Sequence, residues 1–150
     1  MNRYILDADF LSALEDSDSP GYKKIFEKLS SLPDEDEVCM SIISIYEYYY
    51  GVFNAPDKRL AEELRRAKDT LVQLFKILPL SLEGAERYGK IKAEYKKRTG
   101  TTRVGMRRHN VDIILAGTAL EQDAVIVSQD KIFSRIQEFE QRLQVENWAK

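Results

Sequence analysis

The chain has 150 residues, 43% of them hydrophobic and 32% charged, with 23 basic against 25 acidic residues and a formal net charge of −2. This balance excludes a disordered chain, and no apolar run approaches the roughly 18 residues that a membrane span needs. A single cysteine, Cys39, excludes an internal disulfide, and a single histidine, His109, excludes metal sites built on histidine clusters.

Met1 to Leu14 carries Asp7 and Asp9 where a secretory signal needs an unbroken apolar core, so a cytoplasmic protein with no membrane partner is expected. Arg3 to Asp7 is a short apolar run ending at an acid. Pro20 to Leu32 predicts a helix, with Tyr22, Ile25, Phe26 and Leu29 at helical spacing. Val38 to Ile43 is a second buried run, and Ser41 or Ser44 caps the helix that follows, which is expected to end near Gly51. Asp57 to Phe75 predicts the longest helix, with one apolar stripe. Lys76 to Leu80 suits an edge strand, because its proline cannot serve a central ladder. Ser81 caps a helix to about Arg98, and Val111 to Gln122 is a compact, nearly uncharged helix. Ala124 to Ser128 is the clearest strand, followed by a helix from Lys131 and a last strand at Gln144 to Glu146. Strands separated by helices predict an α/β domain with a mainly parallel sheet, and no linker divides residues 1–150.

In such sheets ligands bind beyond the carboxyl ends of the strands. Asp7 follows the first strand and Asp130 lies two residues past the strongest one. Glu47 and Asp112 sit in apolar surroundings near helix starts. Each acid alone also suits a helix cap or a surface group. Four converging carboxylates repel one another, and a divalent cation resolves that repulsion. Oxygen ligands without His or Cys select Mg²⁺ or Mn²⁺.

At these residues the chain resembles PIN-domain nucleases of the VapBC toxin type. The resemblance rests on YILDADFLSAL (Tyr4 to Leu14), SIISIYEYYYG (Ser41 to Gly51) and NVDIILAGTALEQDAVIVSQDKIF (Asn110 to Phe133). The segment Gly84 to Gly100 and the ending Val145 to Trp148 match as well. The resemblance implies a three-layer α/β/α fold with strand order 3-2-1-4-5. It implies a Mg²⁺- or Mn²⁺-dependent endoribonuclease that is a homodimer and is plugged by a cognate antitoxin. Its catalytic and metal-binding acids would be Asp7, Glu47, Asp112 and Asp130, with Ser128 in the usual Ser/Thr position. Ala8 and Asp9 stand where the family usually has Thr-Asn, and Asp9 adds a fifth negative charge beside the site.

Between Glu94 and Asp112 there is no acid, only Lys96, Lys97, Arg98, Arg103, Arg107, Arg108 and His109 among the ionisable side chains besides Tyr95. This stretch suits phosphate tracking, or else a solvated loop. Arg103, Arg107, Arg108 and His109, with Lys131, are the candidate RNA contacts. Three other readings fit the residues less well. Asp7 and Asp9 fit the nucleophile motif of a haloacid-dehalogenase-like phosphatase, but the later acidic pair of that class is missing. A receiver domain needs an Asp at a strand end, which Asp57 is not. A non-catalytic PIN-like RNA-binding module has no need of all four acids.

Overall fold

The computed structural model describes residues 1–149. In chain order the elements are β1 (Arg3–Leu6), α1 (Ala8–Glu15), α2 (Tyr22–Ser31), β2 (Glu37–Ser41), α3 (Ile42–Asn54), α4 (Lys58–Leu74) and β3 (Lys76–Leu78). There follow α5 (Leu82–Thr99), α6 (Arg103–Met106), a 3₁₀ turn (Arg107–His109), α7 (Asn110–Gln122), β4 (Val125–Val127), α8 (Lys131–Gln137) and β5 (Gln144–Glu146). The five strands form one sheet in the order β3-β2-β1-β4-β5, and every neighbouring pair is parallel. This is the α/β architecture and strand order expected.

Side chains alternate across a strand, so a strand covered on both sides reads as continuously apolar. Tyr4 and Leu6 of β1 join a core with Phe10 of α1, Ile25 of α2, Ile45 of α3 and Leu71 of α4. Ile5 points the other way, into a core with Ile91 of α5, Ile113 of α7 and Phe133 of α8. Cys39 and Met40 of β2 divide between the same two cores. The sheet is therefore the middle of three layers. Parallel strands joined through helices leave all their carboxyl ends on one edge. Helix starts cluster there, because Asp7 caps α1, Ser41 caps α3 and Asp130 caps α8.

Several local expectations are corrected. α1 is a helix that the sequence pattern does not predict. Ser41 is the cap of α3, whereas Ser44 is buried within the helix. α3 runs past Gly51 to Asn54, and a Cβ at Gly51 would stand 3.3 Å from Leu64 Cδ1. That glycine serves close packing on α4 rather than a stop. α5, with 18 residues, exceeds α4 with 17, so Asp57 to Phe75 is not the longest helix. The acid-free stretch is mostly helical, running from the end of α5 through α6 and the 3₁₀ turn. Among the described residues no helix is long and apolar enough to cross a membrane.

The helices that bracket this stretch meet very closely. A Cβ at Gly117 of α7 would lie 2.7 Å from the Gly84 carbonyl oxygen and 3.1 Å from the Tyr88 nitrogen, both of α5. Only a hydrogen at that position permits the approach.

Candidate active site

β1 and β4 are adjacent at the centre of the sheet, which brings their carboxyl ends together. The Asp7 backbone N–H continues the ladder by donating to the Val127 carbonyl at 3.0 Å. The Asp7 side chain is buried, with 6% of its surface exposed. Its Oδ1 accepts from the Ala8 N–H at 2.8 Å, and its Oδ2 accepts from the Ser128 hydroxyl at 2.7 Å. The same hydroxyl oxygen accepts from the Asp130 N–H at 3.0 Å. Asp130 in turn accepts from the Ile132 N–H at 3.0 Å and caps α8. One buried serine thus ties the acids after β1 and β4 to each other. The cap reading was right for Asp7 and Asp130, and capping leaves each carboxylate with further lone pairs to offer.

Asp112 lies in the first turn of α7 and is half-buried. Burial raises its carboxyl to about 7, reinforced in turn by the charges of Asp7, Asp130, Glu47 and Asp9. Asp7 is also pushed up, first by burial and against its two hydrogen bonds, with Asp9 and Asp130 adding repulsion. Glu47 is raised by partial desolvation and then by the charge of Asp7. Glu47 is nevertheless exposed, not enclosed in apolar surroundings as expected. Tyr46 and Tyr50 beside it point outward with it instead of closing over it. Asp130 is exposed too. The charges that weigh most on Asp112 are all negative.

The candidate RNA contacts are less tightly gathered. Arg103, Arg107, Arg108 and Lys131 are all exposed. Arg108 Nε donates to His109 Nε2 at 3.3 Å, and the His109 ring packs 5.4 Å from the Tyr95 ring. Burial and then Arg108 lower the His109 pKa, Asp130 opposes them, and Arg135 adds a further lowering. His109 therefore stands between the acids and the basic segment. Arg135 of α8 joins that border, although nothing in the sequence singled it out, because it is one of several charges on a short helix.

Among the described residues no three acidic, histidine or cysteine side chains form a ready-made metal cage. The donor chemistry still fits a hard divalent cation. The neighbouring groups are oxygen donors, they repel one another, and the repulsion is not offset by a cation among their main partners.

A family model for the PIN domain matches residues 4–138. The chain belongs to the PIN domain family. This PIN domain is similar in structure to a chain of VapBC-1 from nontypeable Haemophilus influenzae, with TM-score 0.76, 28% identity and 99% of each chain covered. It also resembles a chain of VapBC2 from Rickettsia felis bound to a promoter DNA fragment, with TM-score 0.72, 22% identity, and 97% of this chain and 98% of that one covered. A chain of FitAcB from Neisseria gonorrhoeae matches with TM-score 0.71, 23% identity and 97% of each chain covered. No curated protein is significantly similar to the chain. The family and fold implied by the motifs are borne out, and membership of this family sets aside the phosphatase reading of Asp7 and Asp9.

Proposed function

We propose that this PIN domain is a Mg²⁺- or Mn²⁺-dependent endoribonuclease acting in the cytoplasm as the toxin of a toxin–antitoxin pair. One observation carries the reading. Asp7, Glu47, Asp112 and Asp130 come from four separate segments and repel one another at the carboxyl edge of the sheet, without a cation among their main partners.

Asp7, Asp112 and Asp130, with Glu47 on the rim, would hold the ion directly or through water. When bound, the ion supplies an activated water and a shield for charge developing on the phosphate. Ser128 holds the Asp7 carboxylate in place and fixes the backbone of Asp130. Asp9 adds negative charge beside the ligands. Arg103, Arg107, Arg108, His109 and Lys131 would take the phosphates on either side of the cleaved bond, leaving 5′-phosphate and 3′-hydroxyl ends.

Two surfaces support the partners. A groove of about 1010 Å³ between α1, α2 and α4, lined by Leu14, Phe26, Leu64 and Leu74 among others, suits an antitoxin segment. A further structural neighbour, VapBC-5 from Mycobacterium tuberculosis, is a member of the VapBC family of toxin–antitoxin systems. On α3, Tyr46, Tyr50 and Phe53 are 65%, 71% and 77% exposed along one aromatic face, with Arg65 over the Phe53 ring, which suits a self-complementary homodimer contact. Tyr50→Glu with Phe53→Glu is expected to convert a dimer to a monomer in sedimentation, whereas Leu74→Glu is expected to weaken antitoxin binding alone.

The deciding experiment incubates the protein with total RNA and Mg²⁺ and sequences the new 5′ ends. Asp7→Asn is expected to stay folded and lose at least 100-fold in cleavage, and EDTA to stop the wild type. Cleavage that survives either change sinks the reading.

A further inference from the structure

Three cations of α5 pair with a glutamate four residues earlier, Arg87 with Glu83, Lys90 with Glu86 and Arg98 with Glu94. Lys96 and Lys97 stand exposed in water. Lys92 does neither. It is half-buried, has Tyr88 four residues before it, and makes no salt bridge among the described residues. Its ammonium donates to two neutral oxygens, Tyr88 Oη at 3.0 Å and Asn110 Oδ1 at 2.8 Å. The Tyr88 hydroxyl donates to the same Asn110 oxygen at 3.0 Å. One amide oxygen therefore takes two bonds from α5.

Asn110 is the first residue of α7, and Asp112 follows two residues later. An asparagine at a helix start commonly bonds its own first turn. Here the side chain reaches across to another helix, and His109 in the cap position makes no side-chain capping bond either. α5 is a firm reference for this hold, because its backbone at Gly84 and Tyr88 is pressed against Gly117 of α7. The two helices thus meet at two points, and the second is the first turn of α7.

That turn has a particular need of support. Asp7 is held by Ala8 and Ser128, and Asp130 by Ile132. Asp112 has no side-chain hydrogen bond among the described residues, so its backbone alone sets where its carboxylate stands against its neighbours. We propose that Lys92, with Tyr88, is a positioning residue: it holds Asn110, and through it the first turn of α7, so that Asp112 can share a divalent cation with Asp7 and Asp130. This rests on the nuclease reading above. Lys92 touches no reacting atom and acts only through α7.

The test uses the whole chain and reads Mn²⁺ binding by titration calorimetry, with the Mg²⁺ concentration for half-maximal RNA cleavage alongside and thermal melting as the fold check. Lys92→Met removes the ammonium and keeps the stem, Tyr88→Phe removes one hydroxyl, and Lys90→Met is the control on the same helix. Lys90→Met is expected to match the wild type. Lys92→Met is expected to bind Mn²⁺ about 10- to 100-fold more weakly, in the range seen for residues that orient metal ligands. Its Mg²⁺ requirement rises by the same factor, while its maximal rate at saturating Mg²⁺ is largely kept. Tyr88→Phe shifts both readouts in the same direction by less, and Lys92→Arg restores most of the loss. A folded Lys92→Met with wild-type Mn²⁺ affinity overturns the proposal. If that variant does not fold, wild-type affinity in Tyr88→Phe overturns it. A wild type that binds no Mn²⁺ and cleaves no RNA overturns the nuclease reading, and this proposal with it.

Discussion

Asp112 keeps its proton to about pH 7 because burial and its acidic neighbours both oppose its charge. In the unfolded chain the same carboxyl ionises near its ordinary value of 3.8. Between those pH values the unfolded state has released a proton that the folded state retains. Metal-free stability therefore falls as pH rises from about 4 to about 7, by a few kcal/mol at most. A cation bound as proposed would remove that penalty. Added Mg²⁺ is expected to raise the melting temperature more at pH 8 than at pH 5, and Asp112→Asn to flatten both effects. Equal Mg²⁺ stabilisation at the two pH values would count against a metal near Asp112. Asp7 and Asp130 were legible as site candidates because a residue just beyond a strand lies at the sheet edge by construction. The setting of Glu47 was misread, because nothing in SIYEYYYG says which tyrosines turn inward. Lys92 and Arg135 were not legible, since each meets a group of another segment, Asn110 for Lys92 and His109 for Arg135.

At the scale of elements, the decisive contact is the crossing of α5 and α7. A methyl at Gly117 meets backbone atoms, which cannot rotate away as a flexible side chain can. Gly117→Ala is expected to cost about 1–3 kcal/mol, in the range of overpacked cores, read by denaturant unfolding. If α7 tilts to relieve the clash, RNA cleavage falls with it. An unchanged midpoint would mean that the two helices are less closely joined than they look. The long helices were legible because their apolar stripes repeat over several turns. α1, with eight residues, and α6, with four, are too short to display a period. Glycine often ends helices, which makes Gly51 look like a stop in the sequence, but it faces Leu64 and its small size serves packing.

Across the whole molecule, the placement of charge matters more than its sum of −2. Four acids share the sheet edge, and the acid-free segment that ends at His109 runs up to it. Replacing Arg107 and Arg108 by Ala is expected to weaken RNA binding at every sequence. It should also reduce the slope of log affinity against log salt by about 1.4, from about 0.7 per lost contact on a single strand. An unchanged slope would mark the segment as a solvated surface. The strand order was legible only through the resemblance, because local apolar runs do not say which strand pairs with which. The order β3-β2-β1-β4-β5 depends on crossovers that no single segment encodes.

The bond from Ser128 to Asp7 joins residues 121 positions apart in the chain. During synthesis at roughly 5–20 residues per second, Asp7 waits about 6–24 s for its partner to be made. β4 has to slot in beside β1 before Ser128 can reach across. Until then the acids are side chains on an incomplete sheet, and the growing chain has no assembled centre. The order of the strands thus works as a timer for the assembly of the site.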